Sequence, residues 1–170
     1  QLQAEASLDL AGRLRGQNTR LQLQANGEGE RWDLPVIDLR MGDNRVQGNG
    51  TWAQTLDGRL QLELGRLAQL WPGLRGRVNG EVTLAGTAAA PSAQLELNGR
   101  NLAYEDNRLR RLNLQGQLSD GERGRLALNA ERIRAGETDL GALRIDAEGT
   151  AERHQAELQL QGPLLDLALA

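Results

Sequence analysis

Apolar and polar residues alternate along almost the whole chain, and a period of two belongs to a strand, not to a helix. In 74–86, Leu74, Gly76, Val78, Gly80, Val82, Leu84 and Gly86 fall on one side. Arg75, Arg77, Asn79, Glu81, Thr83 and Ala85 fall on the other. The same alternation recurs at 2–10, 20–26, 46–52, 56–64, 93–99, 112–118, 124–131, 143–149 and 156–162. A less regular strand covers 34–41, where Val36 and Ile37 are adjacent and Pro35 predicts an edge strand or a strand start. Leu165, Leu167 and Leu169 begin a last row after Pro163. Turn-forming residues such as Gly42-Asp43-Asn44, Glu105-Asp106-Asn107 and Ser119-Asp120-Gly121 separate the rows. Strands about every dozen residues with short polar turns predict an antiparallel meander of about eleven or twelve strands. One stretch is helical in spacing, a short turn at about 66–72 carrying Leu67, Leu70 and Trp71 and stopped by Pro72-Gly73.

A sheet with one apolar face needs a cover for it. The chain supplies no helices for that purpose, and its apolar row is Leu, Val, Ala and Gly, with 33 Leu, 21 Gly and no Phe. Two all-β solutions stand open. One is a closed β-sandwich. The other is a long antiparallel meander sheet curled into a taco-like trough with an apolar interior, on the order of 55 Å long at about 4.8 Å per strand. Glycines in the apolar row, Gly48, Gly50, Gly58, Gly76, Gly80, Gly86, Gly99, Gly116, Gly149 and Gly162, are expected to form the crease of such a trough, or to mark bulges in a sandwich.

Composition excludes several chemistries. There is no Cys, hence no disulfide, thiolate metal site or Cys nucleophile. The one His, His154, follows Arg153 in a polar turn and is expected to be a surface residue. Asp33 with Asp38 and Glu28 with Glu30 lie in or near loops and read as a solvated face. No metal, cofactor or enzymatic activity is expected. A net charge of −3 with interspersed signs offers no basic stripe for nucleic acid. Arg108, Arg110 and Arg111 form a small cluster near a turn, where they either touch lipid headgroups or mark a solvated strand end. Trp32, Trp52, Trp71 and Tyr104 are too few for the aromatic girdles of an outer-membrane barrel and suit either groove rims or core packing. No run approaches the roughly 18 apolar residues of a membrane-spanning helix.

An uncovered aliphatic trough suits an acyl chain, because contiguous apolar surface of that extent marks a binding site. A specific small-molecule pocket needs convergent polar groups, and the apolar row has none. The expected lining is Leu60, Leu62, Leu64, Val78, Val82, Leu84, Leu95, Leu97, Leu112, Leu114, Leu118, Leu126, Leu128, Leu143, Ile145, Leu158 and Leu160.

The order of Gly, Pro and Leu over about 42–118 is distinctive. Gly42-Asp43-Asn44-Arg45-Val46, Gly48 and Gly50 lead into the Leu60–Leu64 strand. Leu67, Leu70, Pro72, Leu74 and Gly76 follow, then Gly80, Leu84, Gly86-Thr87, Pro91 and Leu95–Leu97. Leu102, Leu109, Leu112 and Leu114 close the unit. This order resembles the repeating units of the TamB family, the translocation and assembly module proteins of Gram-negative bacteria, within the wider AsmA-like group. The resemblance implies that 1–170 is a single β-rich segment, internal or C-terminal, of a larger repetitive periplasmic protein whose parent is anchored in the inner membrane. It implies a bridge-like protein carrying phospholipid acyl chains between inner and outer membranes, and a barrel partner of the TamA type reached through the parent protein. The alternative is a scaffold for outer-membrane protein assembly. There an open edge strand pairs with neighbouring segments or with nascent outer-membrane proteins by β-augmentation.

Overall fold

The computed structural model describes residues 3–170, so the expected strand position Leu2 lies outside the described residues. Twelve strands form one antiparallel sheet in strictly sequential order. They are β1 (Gln3–Leu14), β2 (Gln17–Glu28), β3 (Arg31–Met41), β4 (Asn44–Trp52), β5 (Leu56–Leu64), β6 (Leu74–Gly86), β7 (Pro91–Tyr104), β8 (Asn107–Ser119), β9 (Arg123–Ala135), β10 (Thr138–Gly149), β11 (His154–Gln161) and β12 (Asp166–Leu169). The first and last strands are not paired with each other, so the sheet is open and not a barrel. The meander expected from the alternation is thus the fold. The helical turn shrinks to one turn of 3-10 helix, Leu67–Gln69.

No second layer lies over the sheet among the described residues, so the closed sandwich is not what forms. Burial says the same. The buried apolar residues are Met41, Leu56, Leu67 and Ala130, and no side chain is completely enclosed. Elsewhere the alternation appears as half-buried against exposed. Along β5, Leu60, Leu62 and Leu64 are half-buried while Asp57, Arg59, Gln61 and Glu63 are exposed.

Pro35 sits inside β3, an interior strand, and not at an edge or a strand start as the sequence suggests. The register explains how. The pairing of β3 slips between Leu34 and Ile37 against β4, and between Asp33 and Val36 against β2. Pro35 therefore occupies a bulge, where a missing N–H removes no ladder hydrogen bond.

A second irregularity runs across the sheet. β6 slips at Gly76 (φ +111°), and Asn101 (φ +50°), Arg132 (φ +55°) and Gly141 (φ +77°) hold left-handed conformations in β7, β9 and β10. These positions fall on neighbouring strands at one level, because Arg100–Leu102 pairs with Arg111–Leu109, and Leu109–Arg111 with Ile133–Glu131. Beyond this line the apolar spacing is three instead of two, as in Gly99–Leu102, Leu109–Leu112 and Ala130–Ile133. An uninterrupted strand would turn Leu102 to the other face. Instead its Cδ1 lies 2.8 Å from where a Cβ on Gly99 would be, on the apolar face. The line of left-handed residues thus returns Leu102 and its partners Leu109 and Ile133 to that face.

The glycines expected to form a crease do not make up this line. Of the ten glycines expected to form it, only Gly76 lies on the line, and its other members include Asn101 and Arg132. Gly80 serves differently: Leu97, directly opposite, fills the space its missing side chain leaves.

The loop 65–73 folds back over the β3–β4 turn. Asn44, only 3% exposed, bonds the loop at three points and its own turn at a fourth. Its amide donates to the carbonyls of Met41 (3.2 Å) and Arg66 (3.0 Å) and to Gln69 Oε1 (3.1 Å), and its Oδ1 accepts from Arg66 N–H (3.1 Å). From β1–β2, Arg15 donates to the Leu70 carbonyl (2.9 Å) and stacks on Trp71, 4.9 Å from the ring centre. Removing the Asn44 amide leaves buried backbone groups without partners. Asn44→Ala is therefore expected to lower stability by about 2–3 kcal/mol, read in a denaturant melt, whereas Gln159→Ala at an exposed position should cost less than about 0.5 kcal/mol.

Candidate functional site

Every strand sends one set of side chains to the same face, and the register aligns them into rows that cross the sheet. One row runs Leu10, Leu21, Leu39, Val46, Leu62, Gly80, Leu97, Leu114, Leu128, Ile145, Leu158 and Leu169, one residue from each of the twelve strands. It contains no polar side chain. The next row carries Leu64, Val78, Gly99, Leu112, Ala130, Leu143, Leu160 and Leu167 from β5 to β12. On the other side Leu60, Val82, Leu95, Gly116 and Leu126 continue the surface. Beyond them lie Leu84, Ala93 and Leu118.

All seventeen residues expected to line a groove therefore share one face. Sixteen are half-buried, and Leu126 is 41% exposed. A core would enclose them, while a single layer shields each only by its neighbours. The apolar face opens further at the sheet ends, where Leu8, Leu10, Leu14, Leu165 and Leu169 are 42–56% exposed. Between β6 and β11 this face holds an open depression of about 500 Å³ floored by Val82, Leu95, Leu118, Leu126 and Ala147, with His154 at its end. His154 stands where β11 begins, not in a cluster. Among the described residues, no group of three or more His, Asp or Glu side chains is placed to hold a metal ion. Among the described residues, no helix is long and apolar enough to cross a membrane.

The aromatic residues lie at the two rows of turns that bound the face. Trp32 and Trp52 are directly opposed at one, and Trp32 covers Gly27. Trp71 and Tyr104 stand at the other, 54% and 44% exposed.

The opposite face is polar, and it carries a larger depression, about 680 Å³, lined by side chains of both charges including Glu81, Glu96, Arg125 and Arg144. Water satisfies such a surface, so its size does not make it the better apolar-ligand site. Ion pairs and amide pairs order this face. Arg59 binds Glu81 (2.8 Å) and Asn113 donates to Asn98 (2.8 Å). Asp33 and Asp38 do not form an acidic pair. Arg31 holds Asp33 (2.9 Å), and Asp38 is clasped by Arg45 (2.9 and 3.0 Å) and by Arg40 (3.1 Å).

These guanidinium hydrogen bonds, Arg45 before Arg40, hold the Asp38 carboxyl at a pKa of about 2, below the ordinary carboxylate value. The ionised form is thus favoured by folding. Its stabilisation is complete above about pH 4 and is lost as pH falls toward 2. With Arg40 half exposed, it amounts to about 1–2 kcal/mol. Asp38→Asn should therefore melt below the parent at neutral pH, and the two melting curves should converge near pH 2.

A one-layer β-meander with an uncovered aliphatic face and a polar back defines a class of protein, an open β-groove in place of a closed globule. The chain matches the family model described as "TamB, N-terminal domain" over residues 1–170, and it belongs to the TamB family. It is 27% identical over 132 residues to the translocation and assembly module subunit TamB of Haemophilus influenzae, covering 76% of this chain. The chain spans about a tenth, 10%, of that relative's length. No solved structure matches it.

Proposed function

We propose that this chain is one segment of a periplasmic lipid conduit in a Gram-negative envelope, and that its apolar face carries phospholipid acyl chains. The parent protein, anchored in the inner membrane, works within a translocation and assembly module with an outer-membrane barrel partner of the TamA type. The observation that carries this reading is the unbroken apolar row through all twelve strands, left uncovered by any second layer. Apolar surface in water is unfavourable by roughly 25 cal/mol per Å², so a row of this length favours an occupant. Aliphatic side chains without a convergent polar group suit a sliding tail better than a fixed ligand. Its contribution is passive, a sliding of tails along the face.

Native mass spectrometry of the purified chain tests the proposal. The expected result is co-purified phospholipid, extractable and identifiable. A lipid-free chain that also refuses added phospholipid overturns it.

The alternative, a scaffold for outer-membrane protein assembly, is favoured by one separate observation. Among the described residues, β1 is paired on one side only, by β2. Such an edge accepts a further strand by main-chain hydrogen bonds. If the chain is lipid-free yet binds an unfolded outer-membrane barrel protein, and Pro at Ser7 abolishes that binding, the scaffold reading replaces the conduit.

A further inference from the structure

Arginines that are scattered in the sequence gather through the register on the polar face at one end of β6–β9. Arg77, Arg100 and Arg111 are direct cross-strand neighbours. Arg108 stands opposite Arg134, and Arg110 and Arg132 occupy the line of backbone irregularity between these rows. Arg75 completes the group at the start of β6. All eight are exposed. Among the described residues, only Arg111 has an ion-pair partner, Glu131 at a loose 3.6 Å.

Like charges placed directly opposite on a sheet are unfavourable, and opposite charges are the usual arrangement. Where arginines meet elsewhere on this face, the rule is neutralisation by an acid: Arg20, Arg40 and Arg45 are also direct cross-strand neighbours, but Asp9 binds Arg20, and Asp38 binds Arg40 and Arg45. The arginine group departs from it. Even with Glu131, Asp139 and the turn acids Glu105, Asp106 and Glu137 counted, this end carries +3 in a chain of net −3. The next row along the same strands is neutral, Asn79, Asn98, Asn113 and Asn129.

We propose that this patch docks the chain on the phosphate groups of an anionic phospholipid surface. Guanidinium forks match phosphate oxygens and hold their charge at any physiological pH. The eight guanidinium groups spread over four neighbouring strands, on the order of 14 Å at about 4.8 Å per strand, as a flat exposed array. An array of that extent matches the many phosphates of a lipid surface and exceeds what one free phosphate can span. The patch lies on the face opposite the groove, so this docking does not depend on whether the groove holds acyl chains.

Co-sedimentation of the 170-residue chain with vesicles tests the proposal. The chain should bind vesicles containing phosphatidylglycerol, release at high salt, and ignore vesicles of phosphatidylcholine alone. The triple variant Arg77→Gln, Arg100→Gln, Arg111→Gln should bind about a hundredfold more weakly, at roughly a factor of five per arginine near the surface. The control Arg123→Gln, Arg125→Gln, Arg153→Gln removes the same charge at the opposite end and should bind as the parent does. Arg108→Gln with Arg134→Gln provides a second variant should the triple fail to fold. Equal loss in the control, equal binding to neutral vesicles, displacement by inorganic phosphate, or equally tight binding to polyglutamate each overturns the proposal. The co-purified lipid of the native experiment reports on the groove alone, so either idea can fail without the other.

Discussion

Leu97→Asp and Leu114→Asp each strip the chain of bound phospholipid, while Gln115→Glu, one residue along and one face away, leaves it loaded. That is the result expected if the apolar row is the lipid path. Leu97 and Leu114 are direct cross-strand partners at the middle of the row. A carboxylate there must either lose water to an acyl chain or keep the chain away. An unpaired charge against hydrocarbon costs about 2–3 kcal/mol or more, a roughly 30- to 150-fold loss of occupancy. Both positions are half-buried and not enclosed, so the folded sheet can hydrate the new charge when no lipid is present. Lipid extraction by mass spectrometry reads the occupancy, and far-ultraviolet circular dichroism checks that the strands persist. Normal phospholipid content in a folded Leu97→Asp chain would remove the groove from the account of function.

The second large effect lies in the backbone. Gly76 holds φ +111°, and a Cβ there would stand 2.6 Å from the Asn101 carbonyl oxygen and 2.9 Å from that of Arg100. Gly76→Ala thus combines a disfavoured conformation with a backbone clash and is expected to destabilise by about 3 kcal/mol or more. On the same line Arg132 takes φ +55° with a side chain that gains nothing from it. Arg132→Gly should raise stability by up to about 1 kcal/mol, about 2–4 °C in the melting temperature. Opposite signs from two glycine exchanges in one line distinguish backbone strain along it from a general dislike of substitution. A Gly76→Ala chain that melts with the parent would mean that the strand slips freely at this level.

Much of this architecture is legible in the residues. The segments 56–64 and 74–86 match β5 and β6 to the residue, because strict alternation bounded by turn residues leaves little choice. The seventeen groove residues share a face for the same reason. Pro35 misled because the bulge that accommodates it depends on both neighbouring strands. The glycines of the apolar row do not mark the line of left-handed residues, because Asn101 and Arg132 hold that conformation too. The three-residue spacing of Gly99–Leu102, Leu109–Leu112 and Ala130–Ile133 was the available signal. Asn44 was grouped with a turn, and its partners Arg66 and Gln69 lie more than twenty residues away.

The sequence by itself determined that the chain is a meander and which side chains share a face. Both follow from the two-residue period of an extended backbone, which is a local steric property. Only the tertiary structure decided that no second layer covers the apolar face, that a line of left-handed residues re-aims Leu102, Leu109 and Ile133, and that scattered arginines meet on the opposite face. Those features depend on which residues of separate strands come to lie side by side, and the register that sets this is a property of pairs of strands, not of any one of them.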